Sequence, residues 1–165
     1  MIVLSKFFYT IFHMIHIIHI SDGEKHFSEA VSEYTKRLGK NIEIHTIKPI
    51  KHTEINFIKR EETKKLIEKL EKLKWIVILC AERWEKRDTI QFSSLIQKCR
   101  NEWENTIYII GGSYGVDIEL LKNVRNHQLM NLSPLVMPHG LAYLVLIEQI
   151  YRALEIIKWS GYHHI

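Results

Sequence analysis

The stretch "TIYIIGGSYG", Thr106–Gly115, joins a five-residue apolar run to three glycines within five positions. A run of that length ending in glycine reads as a buried strand followed by an abrupt turn. Glycines there let the backbone turn sharply, and without Cβ atoms they let a ligand approach main-chain N–H and C=O groups. The pattern is neither G-x-G-x-x-G nor G-x-x-x-x-G-K-[ST], so dinucleotide and triphosphate readings lack their required residues. On the residues alone, a ligand cradle and a plain tight turn both stand open.

Working outward, strands and helices alternate. Met14–Ile20 reads as a buried strand, and Phe27, Ala30, Val31, Tyr34 and Leu38 then recur at helical spacing. "NIEIHTI" (Asn41–Ile47) alternates as a half-buried strand, Pro49 helps end it, and a charged helix follows from Glu54 to Lys74. "WIVILC" (Trp75–Cys80) is a third strand, and Phe92, Leu95, Ile96, Cys99 and Trp103 mark the next helix. After the glycines, Asp117 can cap a short helix carrying Ile118, Leu121 and Val124. "LMNL" (Leu129–Leu132) is a fifth strand, and Leu141–Ile157 is a strongly apolar last helix. Such alternation implies an α/β fold with a mostly parallel sheet and helices on both faces, because parallel strands need crossovers that bury both sides. In such sheets ligands bind beyond the carboxyl ends of the strands, where "GGSYG" sits.

The bulk properties suit one domain with a real core: 165 residues, 46% hydrophobic and 25% charged. We expect residues 1–13 to be an extension outside the fold and 14–165 to form a single domain, since Met14 opens a tidier strand than Met1. The apolar N-terminus is interrupted by Lys6 and histidines and lacks a cleavage site, so neither a signal peptide nor a membrane span is expected. Cys80 and Cys99 both fall at apolar positions and read as buried hydrophobes, which favours a cytoplasmic setting. A net charge of +4 suits an anionic partner such as RNA. Ten histidines raise the question of metal, but His16 and His19 would point to opposite faces of one strand, and neither C-x-x-C nor H-E-x-x-H occurs, so no metal is expected.

A second loop carries chemistry. In "NLSPLVMPHGLAYLVLIEQIYRALEI" two prolines within five residues hold an irregular segment whose exposed backbone groups need partners. The helix that follows carries Glu148 and Arg152 at i, i+4, either a buried interface pair or a surface salt bridge. Taken in order, "IIGGSYG", "MPHGLAYLVLIEQIYRA" and the terminal "GYHH" resemble the RlmH family of SPOUT-class enzymes, from about Met14 to the C-terminus.

That resemblance implies S-adenosylmethionine-dependent methylation of N3 of a pseudouridine in 23S ribosomal RNA, in the assembled ribosome, by a homodimer with a C-terminal trefoil knot. It implies cofactor contacts at Leu79, Gly111, Gly112, Ser133, Pro134, Leu135, Val136, Met137 and Pro138. It further implies His139, Arg152, Tyr162 and His163 as the residues near the chemistry, with Arg152 and His163 organising the RNA and His163 the candidate proton acceptor. The methyl group is activated by its sulfonium, so no metal is required. Departures are Tyr143 where the family has arginine, Cys80 where it has an acidic residue, and "ERWEK" where it has Gly-Lys. Tyr143 removes a planar cationic fork suited to phosphate and offers instead a ring able to stack on a base, which bears on RNA affinity or substrate choice. A non-catalytic RNA-binding protein of the same fold, or a methyltransferase for another RNA base, are the alternatives.

Overall fold

The computed structural model describes residues 14–164 apart from 24, 74, 82–85, 103 and 124–126. The expected N-terminal extension, most of "ERWEK", Trp103 and Val124 lie outside the described residues. Five strands, β1 (Ile15–Ile20), β2 (Ile42–Ile47), β3 (Ile76–Cys80), β4 (Thr106–Ile110) and β5 (His127–Met130), alternate with α1 (Ser28–Leu38), α2 (Ile55–Glu71), α3 (Thr89–Asn101), α4 (Ile118–Lys122) and α5 (His139–Ile157). The strands form one sheet in the order β2-β1-β4-β3-β5, and every pairing is parallel. No helix among the described residues is long and apolar enough to cross a membrane.

The central strands are mostly apolar because both of their faces are covered, and their polar members His16, His19 and Thr106 are buried too. On one face Ile15, Ile17, Ile78, Tyr108 and Ile110 pack with Leu38 of α1, Phe92 and Ile96 of α3, and Leu146, Ile147, Ile150 and Leu154 of α5. On the other, Ile18, Val77, Leu79, Ile107 and Ile109 meet Leu66 and Leu70 of α2 and Leu121 of α4. Burying each such side chain contributes about 1.5–3 kcal/mol, and this is what selects the register.

The elements start and stop for identifiable reasons. Met14 precedes β1 but is fixed to the sheet, since its N–H donates to Asn105 Oδ1 (2.8 Å) and its carbonyl accepts from Thr106 N–H (3.3 Å). The fifth strand lies two residues earlier than expected: Asn131 accepts from Ser133 N–H (2.9 Å) and turns the chain before Leu132. Helix α5 starts at His139, two residues before the expected Leu141, because Pro138 at the cap position presets the backbone without losing a needed donor. Asp88 opens α3 with a reciprocal capping box: its Oδ1 accepts from Gln91 N–H (2.7 Å) while Gln91 Oε1 accepts from Asp88 N–H (3.0 Å). Replacing Asp88 with alanine should cost about 1 kcal/mol, read as a lower urea midpoint at unchanged slope.

Candidate functional site

Because β4, β3 and β5 are parallel neighbours, the chain leaves all three at the same end of the sheet. The glycine turn follows β4 and the proline-bracketed loop follows β5, two strands away and so roughly 10 Å across the sheet. The turn is tight. Gly115 N–H donates to the Gly112 carbonyl (2.9 Å), and Gly115 adopts φ 75°. A Cβ on Gly111 would lie 2.9 Å from Val116 Cγ2 and 3.1 Å from the Gly115 carbonyl carbon, and one on Gly112 would lie 2.6 Å from Glu62 Oε2. Gly111 is therefore favoured by close packing against backbone inside the chain, whatever the loop binds, while a side chain at 112 would have to displace the buried Glu62 carboxylate.

Two strands away, Asn131 is buried and holds the start of the second loop, where its Oδ1 accepts from Ser133 N–H and Ser133 Oγ accepts from Leu135 N–H (3.0 Å). Leu135 and Val136 stand 74% and 76% exposed between Pro134 and Pro138, while Met137 is half-buried. Two large apolar side chains held in water by a proline-stiffened loop form a surface suited to a flat apolar-faced ligand. Leu79 differs. Its side chain is 2% exposed and belongs to the core under α2 and α4, so it does not line an open wall. Ala81 N–H, just beyond, donates to the Met130 carbonyl (2.9 Å) and carries the β3–β5 ladder one step past the end of β3.

The residues assigned to chemistry separate into two groups. His139 sits at the start of α5 beside the second loop, whereas Arg152, thirteen residues on, is about 20 Å along the helix axis. The tail folds back to meet Arg152. Arg152 donates through Nε (2.9 Å) and Nη2 (2.5 Å) to Glu148 Oε1, and Tyr162 Oη donates to the same oxygen (3.3 Å). The Arg152 guanidinium lies over the Tyr162 ring at 4.8 Å, and its Nη1 is 3.4 Å from His163 Nδ1. These groups are partly buried, with 18% of the Glu148 and 27% of the Arg152 side chain exposed, so the pair is neither a fully solvated bridge nor a sealed one.

The electrostatics follow from those contacts. Glu148 raises the Arg152 pKa, chiefly through their hydrogen bond. A hydrogen bond with Tyr34, then burial and the Glu148 carboxylate, push the Tyr162 phenol up to about 12, so it remains a donor. Because arginine only donates, the contact with His163 Nδ1 uses that nitrogen as acceptor and leaves the ring proton on Nε2. His163 in this contact keeps its donor on Nε2, and serving as proton acceptor through Nδ1 requires that nitrogen to leave Arg152. Sequence reasoning missed Tyr34, which braces Tyr162 from α1 (3.4 Å) across 128 residues.

Two departures resolve within the chain. Tyr143 is 2% exposed and stacked on His19, with centroids 4.1 Å apart and planes at 8°, so the expectation that it receives an RNA base is not met. Burial among apolar atoms pushes the Cys80 thiol up to about 12, which removes it as a nucleophile.

A family model described as "Predicted SPOUT methyltransferase" matches residues 14–163. The chain belongs to the SPOUT methyltransferase family. It is 35% identical over 149 residues to a protein of Ruminiclostridium cellulolyticum named ribosomal RNA large subunit methyltransferase H, covering 85% of this chain and 92% of that one. A Mycoplasmopsis pulmonis protein of the same name is 32% identical over 151 residues, covering 90% and 98%. A crystal structure from Neisseria gonorrhoeae, assigned to a methylase family, superposes with a TM-score of 0.52 at 15% identity over 87% of this chain and 84% of that one, a likeness of fold.

The SPOUT chain's tail should depend on one carboxylate. Replacing Glu148 with glutamine is expected to loosen residues 160–164, seen as faster amide hydrogen exchange there with α5 still protected. Unchanged tail exchange would mean that the aromatic contacts of Tyr162 suffice.

Proposed function

We propose that this protein is an S-adenosylmethionine-dependent methyltransferase acting on N3 of a pseudouridine in 23S ribosomal RNA, in the cytoplasm and on the assembled ribosome. The observation that carries the donor site is the exposed Leu135–Val136 pair, in the loop that follows β5 at the same end of the sheet as the glycine turn. It offers the adenine an apolar surface, and loop main chain from Ser133 to Pro138 offers its edge hydrogen bonds. The names carried by the relatives, both large-subunit ribosomal RNA methyltransferases, support the substrate. Trp159 supports it independently: its ring is 93% exposed at the turn between α5 and the tail, suited to base stacking.

The bound donor supplies a methyl group already activated on sulfonium sulfur. What remains for the chain is to aim the RNA nitrogen and to accommodate the charge left when N3 loses its proton. Arg152 and the Nε2–H of His163 are the donors suited to that charge. His163 takes the proton itself only after its Nδ1 releases Arg152. In this reading Tyr162 fixes the guanidinium plane and does not touch the substrate.

The 20 Å between the donor loop and Arg152 along α5 is too long for one copy to close a methyl-transfer site. The reading therefore includes a homodimer in which the loop of one copy meets the tail of the other, and the C-terminal trefoil knot implied by the family resemblance. The folding unit is 14–165, with residues 1–13 outside it.

The direct test is nucleoside mass spectrometry of ribosomal RNA from cells with and without the gene. Methylated pseudouridine should vanish on deletion, and its persistence with no second enzyme present overturns the substrate assignment. His163→Ala should slow transfer by about a hundredfold or more with calorimetric donor affinity unchanged. Subunit sharing has its own signature. Arg152→Ala and Pro134→Ala/Leu135→Asp/Val136→Asp are each expected to be inactive, yet mixing them after dissociation should restore about a quarter of wild-type activity, since half the dimers then hold one intact site. No recovery in the mixture means that each copy works with its own tail.

A further inference from the structure

The strand pairing brings together three side chains that no role above uses. His16 is the second residue of β1, and in the parallel register it lies opposite Glu43, two positions before His45 on the edge strand β2. All three project from the face covered by α2. His16 Nδ1 is 2.9 Å from His45 Nε2 and 3.7 Å from Glu43 Oε2, and His45 Nε2 is 3.4 Å from Glu43 Oε1. The three ligand-type atoms lie within 4.8 Å of one another. A tetrahedral zinc ion with N and O ligands about 2.1 Å away holds them about 3.4 Å apart; the two nitrogen–oxygen separations end on different oxygens of Glu43, so a turn of that exposed carboxylate is needed to bring one oxygen to both rings.

We propose that His16, His45 and Glu43 form a binding site for a divalent transition metal of the zinc class, clipping β2 to β1. The donor set suits such an ion: two imidazoles and one carboxylate leave a fourth position for water, and nothing in it is soft enough to select copper(I). Without metal, the 2.9 Å approach of two ring nitrogens needs one proton between them. When the ion enters, that proton moves to the other nitrogen of the same ring, and both lone pairs turn to the metal.

The surroundings are those of a built site. His16 is 2% exposed, its ring held by Trp75 at 4.0 Å and stacked with His45 at 5.2 Å and 6°, so its orientation is fixed before any ion arrives. Glu43 is the solvent-side member and supplies the entry path, with 55% of its side chain exposed. Lys69 of α2 acts on both rings and opposes a cation, and the Glu43 carboxylate offsets it. The site lies near the amino ends of β1 and β2, while the donor loops lie at the carboxyl ends of the strands. Its role is accordingly structural, and it stands whether or not the methyltransferase reading holds.

The test uses the full chain without an affinity tag, stripped with chelator and titrated with zinc chloride and, separately, cobalt chloride. We expect one ion per chain, the intense visible absorption of tetrahedral cobalt, a raised melting temperature, and methyl transfer unchanged by the ion. Glu43→Gln at the solvent side and His45→Gln on the edge strand, with folding of each checked by circular dichroism, should each weaken binding by at least about tenfold relative to the wild type, whereas His163→Ala/His164→Ala should leave it intact. Absence of saturable binding, equal affinity in Glu43→Gln and His45→Gln, or loss of binding in the tail double variant overturns the proposal.

Discussion

The packing of α5 against the centre of one face of the sheet, between α1 and α3, is the constraint on which the rest of the structure depends. Its Leu146, Ile147, Ile150 and Leu154 cover β1 and β4, and it is braced laterally by α3, where Thr89 Oγ1 donates to Gln149 Oε1 (2.9 Å) and Ser93 Oγ donates to the Ala153 carbonyl (3.3 Å). A parallel sheet cannot leave that face to water, because its strands have no polar side to present. So the helix must run the full depth of the domain. That length is also what separates the loop at its start from the tail at its end.

The tail's position follows from the same helix. Glu148 and Arg152 lie one turn apart on the flank of α5 that the sheet does not cover, and the returning chain meets them with Tyr162 and His163. A carboxylate shared by a guanidinium and a phenol is a compact way to hold a chain end, since both donors satisfy one oxygen that would otherwise be partly desolvated. Tyr34 and Tyr151 complete the enclosure, Tyr151 meeting the Tyr162 ring edge-on at 4.9 Å. Among the described residues, Tyr162 and His163 are thereby held against α5 and α1, contacts that must offset the entropy lost in fixing them.

Much of this was legible in the sequence, and the parts that were not share a cause. Apolar run length located β1, β3 and β4, and 3.6-residue spacing located α1, α3 and α5, because burial on one or two faces writes itself directly into local pattern. Strand order left no such trace. Nothing near "LMNL" says that it lies beside β3 at the sheet's edge, so the pairing that brings the second loop to the same end as the glycine turn became visible only in three dimensions. The same holds for side chains that meet across strands or between sheet and helix: His16 with His45, His19 with Tyr143, Tyr34 with Tyr162. Weighing the histidines of β1 along one strand identified their opposite faces correctly, but it could not include β2, which lies alongside.

The stack of Tyr143 on His19 bears on how the chain meets RNA. A planar cation at position 143, as the resembled family carries, would sit beside His19 at a site only 2% exposed, and would have to extend its stem outward to keep its charge in water. Tyrosine avoids that desolvation by stacking, and one phosphate-seeking fork is lost with it. Arg152 cannot replace it as a free charge, because Glu148 already compensates it through two hydrogen bonds. Its remaining value is directional: a fixed guanidinium edge and, through it, a fixed histidine tautomer. Attraction to the RNA backbone must then come from the dispersed excess of lysine and arginine that gives the chain its net +4. Salt should accordingly weaken encounter with the substrate more than it disturbs the arrangement of Glu148, Arg152 and Tyr162, whose partly buried contacts are less screened.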